Sequence, residues 1–130
     1  MRDARPSATA QLMLMGRAVL THARIIDDPC APRLLKRRSR LLAFALTSVP
    51  VFRRRASQYF AHLATRTLYF DEALKAAVDG GVSQVVVLAA GYDSRAVRMS
   101  QLPARFFEVD HPATRDRTAQ AGCGPDLRER

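Results

Sequence analysis

Between Val85 and Asp110 the chain runs V-V-V-L-A-A-G-Y-D-S-R-A-V-R-M-S-Q-L-P-A-R-F-F-E-V-D, and this stretch constrains the fold more tightly than any other. A strand that is apolar on consecutive residues, Val85 to Ala89, has no face suited to water. It is therefore expected to be an interior parallel strand covered on both sides. Gly91 to Ser94 form a turn, Ser94 to Gln101 a short helix, and Arg105 to Val109 a second strand, with Pro103 as the break before it. A strand-helix-strand connection of this kind is right-handed and returns the second strand parallel beside the first. The fold class expected is α/β, opening as nucleotide-binding folds open.

The chain ahead of this unit has helical periodicity. Ala8 to Ile26 places Leu12, Met15, Val19, Ala23 and Ile26 on one face before Asp27, Asp28, Pro29 and Pro32 interrupt it. A second amphipathic segment sets Leu34, Leu35, Leu41, Leu42, Ala45, Leu46 and Val49 against the arginines and ends at Pro50. A third carries Phe60, Leu63, Thr67, Phe70, Leu74 and Ala77 along its length to the Gly80-Gly81 stop, with Asp71-Glu72 as an alternative fresh start. Ala113 to Ala121 is a last helical candidate, ended by Gly122, Gly124 and Pro125. The expected organisation is a helical cap region over residues 1–80 and the start of a ligand-binding domain over residues 81–130.

No apolar run reaches the roughly 18 to 20 residues of a membrane span, and Arg17 interrupts Leu12 to Leu20 where a secretory signal would be unbroken. No membrane partner and a cytoplasmic location are expected. Cys30 and Cys123 lack metal-ligand spacing and are expected as free thiols, with no metal bound. The net charge of +9 is uneven, since residues 29–70 hold nine basic side chains and no acid. Such a block could meet phosphates or an anionic surface. Aromatics do not interleave with these basics in the pattern expected of single-strand binders, so a solvated helical face is the favoured reading and nucleic acid the alternative partner.

Chemistry concentrates at the turn. Gly91 lets the backbone leave the strand close to a ligand, Asp93 is placed to cap the following helix, and Asp110 lies nineteen residues beyond Gly91 at the end of the second strand. An acid there holds a ribose diol, because a carboxylate accepts two hydrogen bonds from adjacent hydroxyls. Glu108 shares its face. A dinucleotide fingerprint would need G-x-G-x-x-G, whereas Ala89 stands at the first glycine and Arg95 near the third, which favours an adenosyl ligand without phosphates.

With these motifs the chain resembles class I S-adenosylmethionine-dependent methyltransferases, in the branch of leucine carboxyl methyltransferases and similar bacterial O-methyltransferases. The resemblance rests on R-T-L-Y-F-D-E at Arg66 to Glu72, on Val85 to Arg98, on F-F-E-V-D-H-P-A at Phe106 to Ala113, and on I-I-D-D-P-C-A-P-R-L-L at Ile25 to Leu35, which is similar to the family's D-P-x-A region. It implies the opening unit of a Rossmann-like methyltransferase fold, incomplete because the family's domain continues to a seventh strand. It also implies S-adenosylmethionine as cofactor, with Arg66 pairing the methionine carboxylate, Gly91 and Ala89 at the cofactor corner, and Asp110 on the ribose. Arg66 as a surface helix residue, Asp110 as a strand-end turn residue and Tyr92 as a half-buried turn aromatic are the plainer alternatives. The activity implied is O-methylation of an unknown carboxyl or hydroxyl acceptor, with little or none expected from a truncated chain. A non-catalytic fragment that depends on a partner chain, or self-associates through an exposed edge of the first strand, is the remaining alternative.

Overall fold

Helices occupy the chain as far as Asp79, and two strands follow. The computed structural model describes residues 8–110, 118 and 120–123. Its elements are α1 (Ala8–His22), α2 (Cys30–Leu34), α3 (Arg37–Ser48), α4 (Pro50–Tyr59), α5 (Ala61–Asp79), β1 (Gln84–Leu88), α6 (Arg95–Arg98) and β2 (Arg105–Val109). β1 and β2 pair in parallel, with Gln84 opposite Arg105 and Leu88 opposite Val109. The α/β class and the parallel return are as the sequence predicts. Among the described residues no helix is long and apolar enough to cross a membrane.

Burial of the strands departs from expectation. Val85, Val87, Phe106 and Glu108 are half-buried, but on the other face Val86, Phe107 and Val109 are exposed and Leu88 is 73% exposed. β1 is thus not covered on both sides. Its unbroken apolarity suits two covering layers, and the described residues supply one. The helix after the turn is also shorter than the expected Ser94 to Gln101, closing after Arg98.

α1 lies against α2, α3, α4 and α5, so its burial spreads around the helix rather than along one stripe. Leu14, Gly16, Ala18, Val19 and Leu20 are buried, whereas Leu12, expected inside, is exposed. The helix stops at His22, short of Ile26, and Arg24 turns the chain at φ 60°. The second predicted segment is two helices, broken where Leu35 adopts extended backbone. Leu34 is buried and Leu35 and Leu46 are half-buried, in line with the predicted face, but in α3 Ala43 and Thr47 are inside while Leu41 and Leu42 are exposed. Small Ala43 permits close approach, and Thr47 Oγ1 donates to Ala43 O at 3.0 Å and Phe44 O at 2.9 Å, so burial leaves its hydroxyl satisfied.

Pro50 ends α3 and also opens α4 at its first turn, where a missing N–H costs nothing. That helix was not anticipated. α5 runs unbroken through Asp71-Glu72, with Leu63, Thr67 and Asp71 buried and Phe70 exposed, and stops at Gly80-Gly81 as predicted, Gly81 having φ +100°. The predicted helix over 113–121 falls largely outside the described residues; Thr118 and Gln120 are helical.

The free-thiol reading is corrected. Cys30 and Cys123 form a disulfide across a sequence separation of 93, with Cα atoms 5.6 Å apart, and neither sulfur is free. Sequence spacing alone could not show that the start of α2 and the chain beyond β2 meet in the core, where both cysteines are buried.

Gly16 marks the tightest helix contact. A Cβ there would sit 2.6 Å from Phe60 Cδ1 and 2.8 Å from Leu63 Cδ2. Gly16→Ala gains about 1 kcal/mol of helix propensity against an overpacking cost of roughly 1 to 3 kcal/mol. A net loss of stability of about 1 kcal/mol is expected in urea unfolding monitored by circular dichroism.

Candidate functional site

At the carboxyl end of β1 the backbone turns through two left-handed residues, Ala89 at φ 51° and Gly91 at φ 60°. Asp93 N donates to Ala90 O at 2.8 Å, closing the turn. Gly91 N donates to Asp110 Oδ2 at 2.8 Å, so the acid at the end of β2 is tied to the corner after β1. Asp93 Oδ1 accepts from Arg95 N at 2.8 Å and so caps the first turn of α6 as predicted, from the position before Ser94. Ala89 occupies a conformation that costs an L-residue about 1 to 2 kcal/mol. Ala89→Gly removes that strain, partly offset by the larger unfolded-state entropy of glycine. A net gain of about 0.5 kcal/mol is expected, seen as a higher thermal midpoint.

Behind the turn lies a network that the sequence reading missed. Asp28 is fully buried. Its Oδ2 accepts from Arg17 Nε at 2.6 Å and from Arg17 Nη2, and its Oδ1 accepts from Ser94 Oγ at 2.9 Å and from the amides of Cys30 and Ala31 at 3.2 Å. Arg17 continues to Tyr92 O and Ser94 Oγ, both at 2.7 Å. A second carboxylate, Asp71 of α5, accepts from Arg95 Nε at 2.8 Å and from Arg98 Nη1 at 2.7 Å. Burial alone would raise the Asp71 pKa, but the hydrogen bonds and charges of Arg98 and then Arg95 outweigh it and hold the carboxyl below its ordinary value.

A cavity of about 370 Å³ opens beside this turn, lined by residues that include Arg17, Arg66, Phe70, Ala89, Asp93 and Arg95. That size suits a small organic ligand. Arg17, Arg95 and Arg98 all pair with carboxylates. Arg66 has no ion pair among the described residues and lies 6.0 Å from the Phe70 ring centroid, a ring that Arg95 also approaches at 5.9 Å. Of the candidates, Arg66, Ala89 and Asp93 line the cavity; Gly91, Glu108 and Asp110 stand next to it without lining it. Tyr92 is buried in the core rather than half-buried.

Glu108 is on the same strand face as Asp110, and its Oε1 is buried without a hydrogen-bond partner among the described residues. Burial first, then the charges of Asp93 and Asp110, push its pKa up to about 7. A carboxyl with a folded pKa above its unfolded value binds protons more tightly when folded. Its stabilising contribution is therefore full below the unfolded value near 4.5 and lost as pH rises through about 7. Glu108→Gln is expected to flatten the fall in thermal midpoint between pH 5 and pH 8.

A guanidinium without an ion pair among the described residues on one wall, a bare backbone corner, and acids near the strand ends suit a ligand with a carboxylate at one end and a diol at the other. A parallel strand-helix-strand unit with a cavity at its carboxyl edge, flanked by helices, defines the opening of a Rossmann-like ligand-binding fold. The sequence model of the family described as leucine carboxyl methyltransferase matches residues 10–120, and the chain belongs to that family. A provisionally named S-adenosyl-L-methionine-dependent methyltransferase of Mycobacterium bovis (strain BCG / Pasteur 1173P2) is 37% identical over 131 residues, covering 90% of this chain and 43% of the relative. One from Mycobacterium sp. (strain KMS) is 34% identical over 137 residues, covering 91% of this chain and 44% of the relative. One from Parafrankia sp. (strain EAN1pec) is 59% identical over 54 residues, 40% of this chain and 17% of the relative. The chain thus spans less than half the length of these relatives. No solved structure matches it significantly.

Proposed function

We propose that this chain binds S-adenosylmethionine in the cavity beside the 89–93 turn and serves methyl transfer to a carboxyl or hydroxyl oxygen of an acceptor. The observation that carries the reading is that Arg66, the cavity arginine without a carboxylate partner among the described residues, lines the same cavity as Ala89 and Ala90. Arg66 presents a planar fork to the methionine carboxylate, a geometry that gives two parallel charge-assisted hydrogen bonds. The backbone at Ala89 and Ala90 admits the chain that bears the sulfonium, and Glu108 with Asp110 accepts from the ribose hydroxyls. Glu108 Oε1 gains there the donor it lacks among the described residues. The chemistry supplied by the bound cofactor is an electrophilic methyl group on a sulfonium that leaves as a neutral thioether. Phe70, flanked by two guanidiniums, gives the cavity an apolar wall.

Isothermal titration calorimetry with S-adenosylmethionine and S-adenosylhomocysteine tests the reading. Binding of both is expected, and Arg66→Ala should weaken each by on the order of tenfold or more, the worth of a charge-assisted bidentate contact. Arg66→Lys, which keeps charge but loses the fork, should fall between. Absence of binding to the parent chain, or an Arg66→Ala affinity equal to the parent's, overturns it.

A further inference from the structure

We propose that Arg17 and Asp28 are positioning residues for the cofactor, a buried clamp through which α1 holds the 89–94 turn in the shape that receives the ligand. The inference rests on the adenosyl-binding reading above and adds to it residues far from the glycine turn in sequence. Its ground is how the valences of one buried ion pair are spent. Asp28 takes donors from α1 (Arg17), from the start of α2 (Cys30, Ala31) and from the turn (Ser94). Arg17 uses Nη1 on the carbonyl of Tyr92 and Nη2 on Ser94 Oγ, across 75 and 77 residues of sequence. Ser94 is itself fully buried, and its hydroxyl also accepts from Arg98 Nε at 3.0 Å.

A buried ion pair is a poor device for stability, because desolvating both charges offsets most of their attraction and an apolar pair of similar volume often does as well. What the pair does supply is geometric: a planar guanidinium fixes the distance and angle between the groups it joins. The turn needs such a constraint. It passes through left-handed backbone twice within three residues, once at an alanine, and strained backbone persists only where its surroundings over-determine it. Arg17 also lines the cavity, so the group that holds Tyr92 and Ser94 forms part of the wall that the ligand meets.

The experiment compares Arg17→Lys with Val78→Ala, a truncation at the far end of α5, outside the clamp and the cavity. Lysine keeps the charge beside Asp28 but cannot hold two turn oxygens in one plane. S-adenosylhomocysteine affinity is measured by calorimetry, backbone amide exchange over residues 89–95 by mass spectrometry, and thermal midpoint by circular dichroism. Arg17→Lys is expected to weaken binding about tenfold, the scale of losing charged hydrogen bonds, and to speed exchange at 89–95 specifically. Val78→Ala is expected to lower the midpoint at least as far while leaving affinity and that local exchange near the parent's. Affinity within twofold of the parent for Arg17→Lys, or an equal loss in Val78→Ala, overturns the proposal. Should Arg17→Lys not fold, Ser94→Ala removes only the shared hydroxyl and must show the same local loosening and weaker binding, and parental behaviour in it counts against the clamp. If the parent binds no ligand, the functional reading has failed by itself, and unchanged exchange at 89–95 in Arg17→Lys then refutes the positioning role separately.

Discussion

The carboxylate of Asp28 is the constraint on which the site depends. Fully buried, it must be met by donors, and the donors come from three stretches of chain that are otherwise unrelated in sequence. Satisfying it brings α1, the start of α2 and the turn after β1 together. Asp71 plays the corresponding part from α5, gathering Arg95 and Arg98 and thereby seating α6. Two carboxylates from the helical region thus set the placement of the short helix that follows the turn, while Asp110 ties the turn's glycine amide to the end of β2. The cavity is the space left between these attachments.

That arrangement explains why the α/β unit and the helical region work as one. The chain after β1 contributes a backbone corner and Asp93, and α5 contributes Arg66 and Phe70. Neither half alone lines the cavity. The matched family and its relatives agree with a chain of which residues 10–120 share one ancestry, helical region included.

Features set by neighbours in sequence were legible. β2 spans Arg105–Val109 as predicted, the parallel pairing follows from the intervening turn and helix, and the Gly80-Gly81 stop and the Asp93 cap are local backbone chemistry. Arg66, singled out by the family resemblance, and Ala89 and Asp93, singled out at the turn, line one cavity. Features set by burial were not legible. The face of α3 was assigned from hydrophobicity, yet close packing selected Ala43 and a self-satisfied Thr47 over Leu41 and Leu42. Asp28 looked like a helix breaker because Asp before Pro is common where helices end, and nothing local distinguishes a solvated aspartate from one receiving an arginine of the preceding helix. The Cys30–Cys123 pairing was hidden for the same reason, since 93 residues separate the two.

That crosslink divides the molecule unevenly. α3 to β2 lie inside the covalent ring, where closing a loop of such length removes about 4 to 5 kcal/mol of denatured-chain entropy. α1 lies outside it. The ring therefore does not enclose the first helix, whose attachments include packing, its arginine and Thr21 Oγ1 on Asp28 O at 3.3 Å. Fraying from the amino terminus would strip the pocket of one wall while the enclosed elements remained tethered, making α1 the part of the molecule whose loss the crosslink cannot prevent.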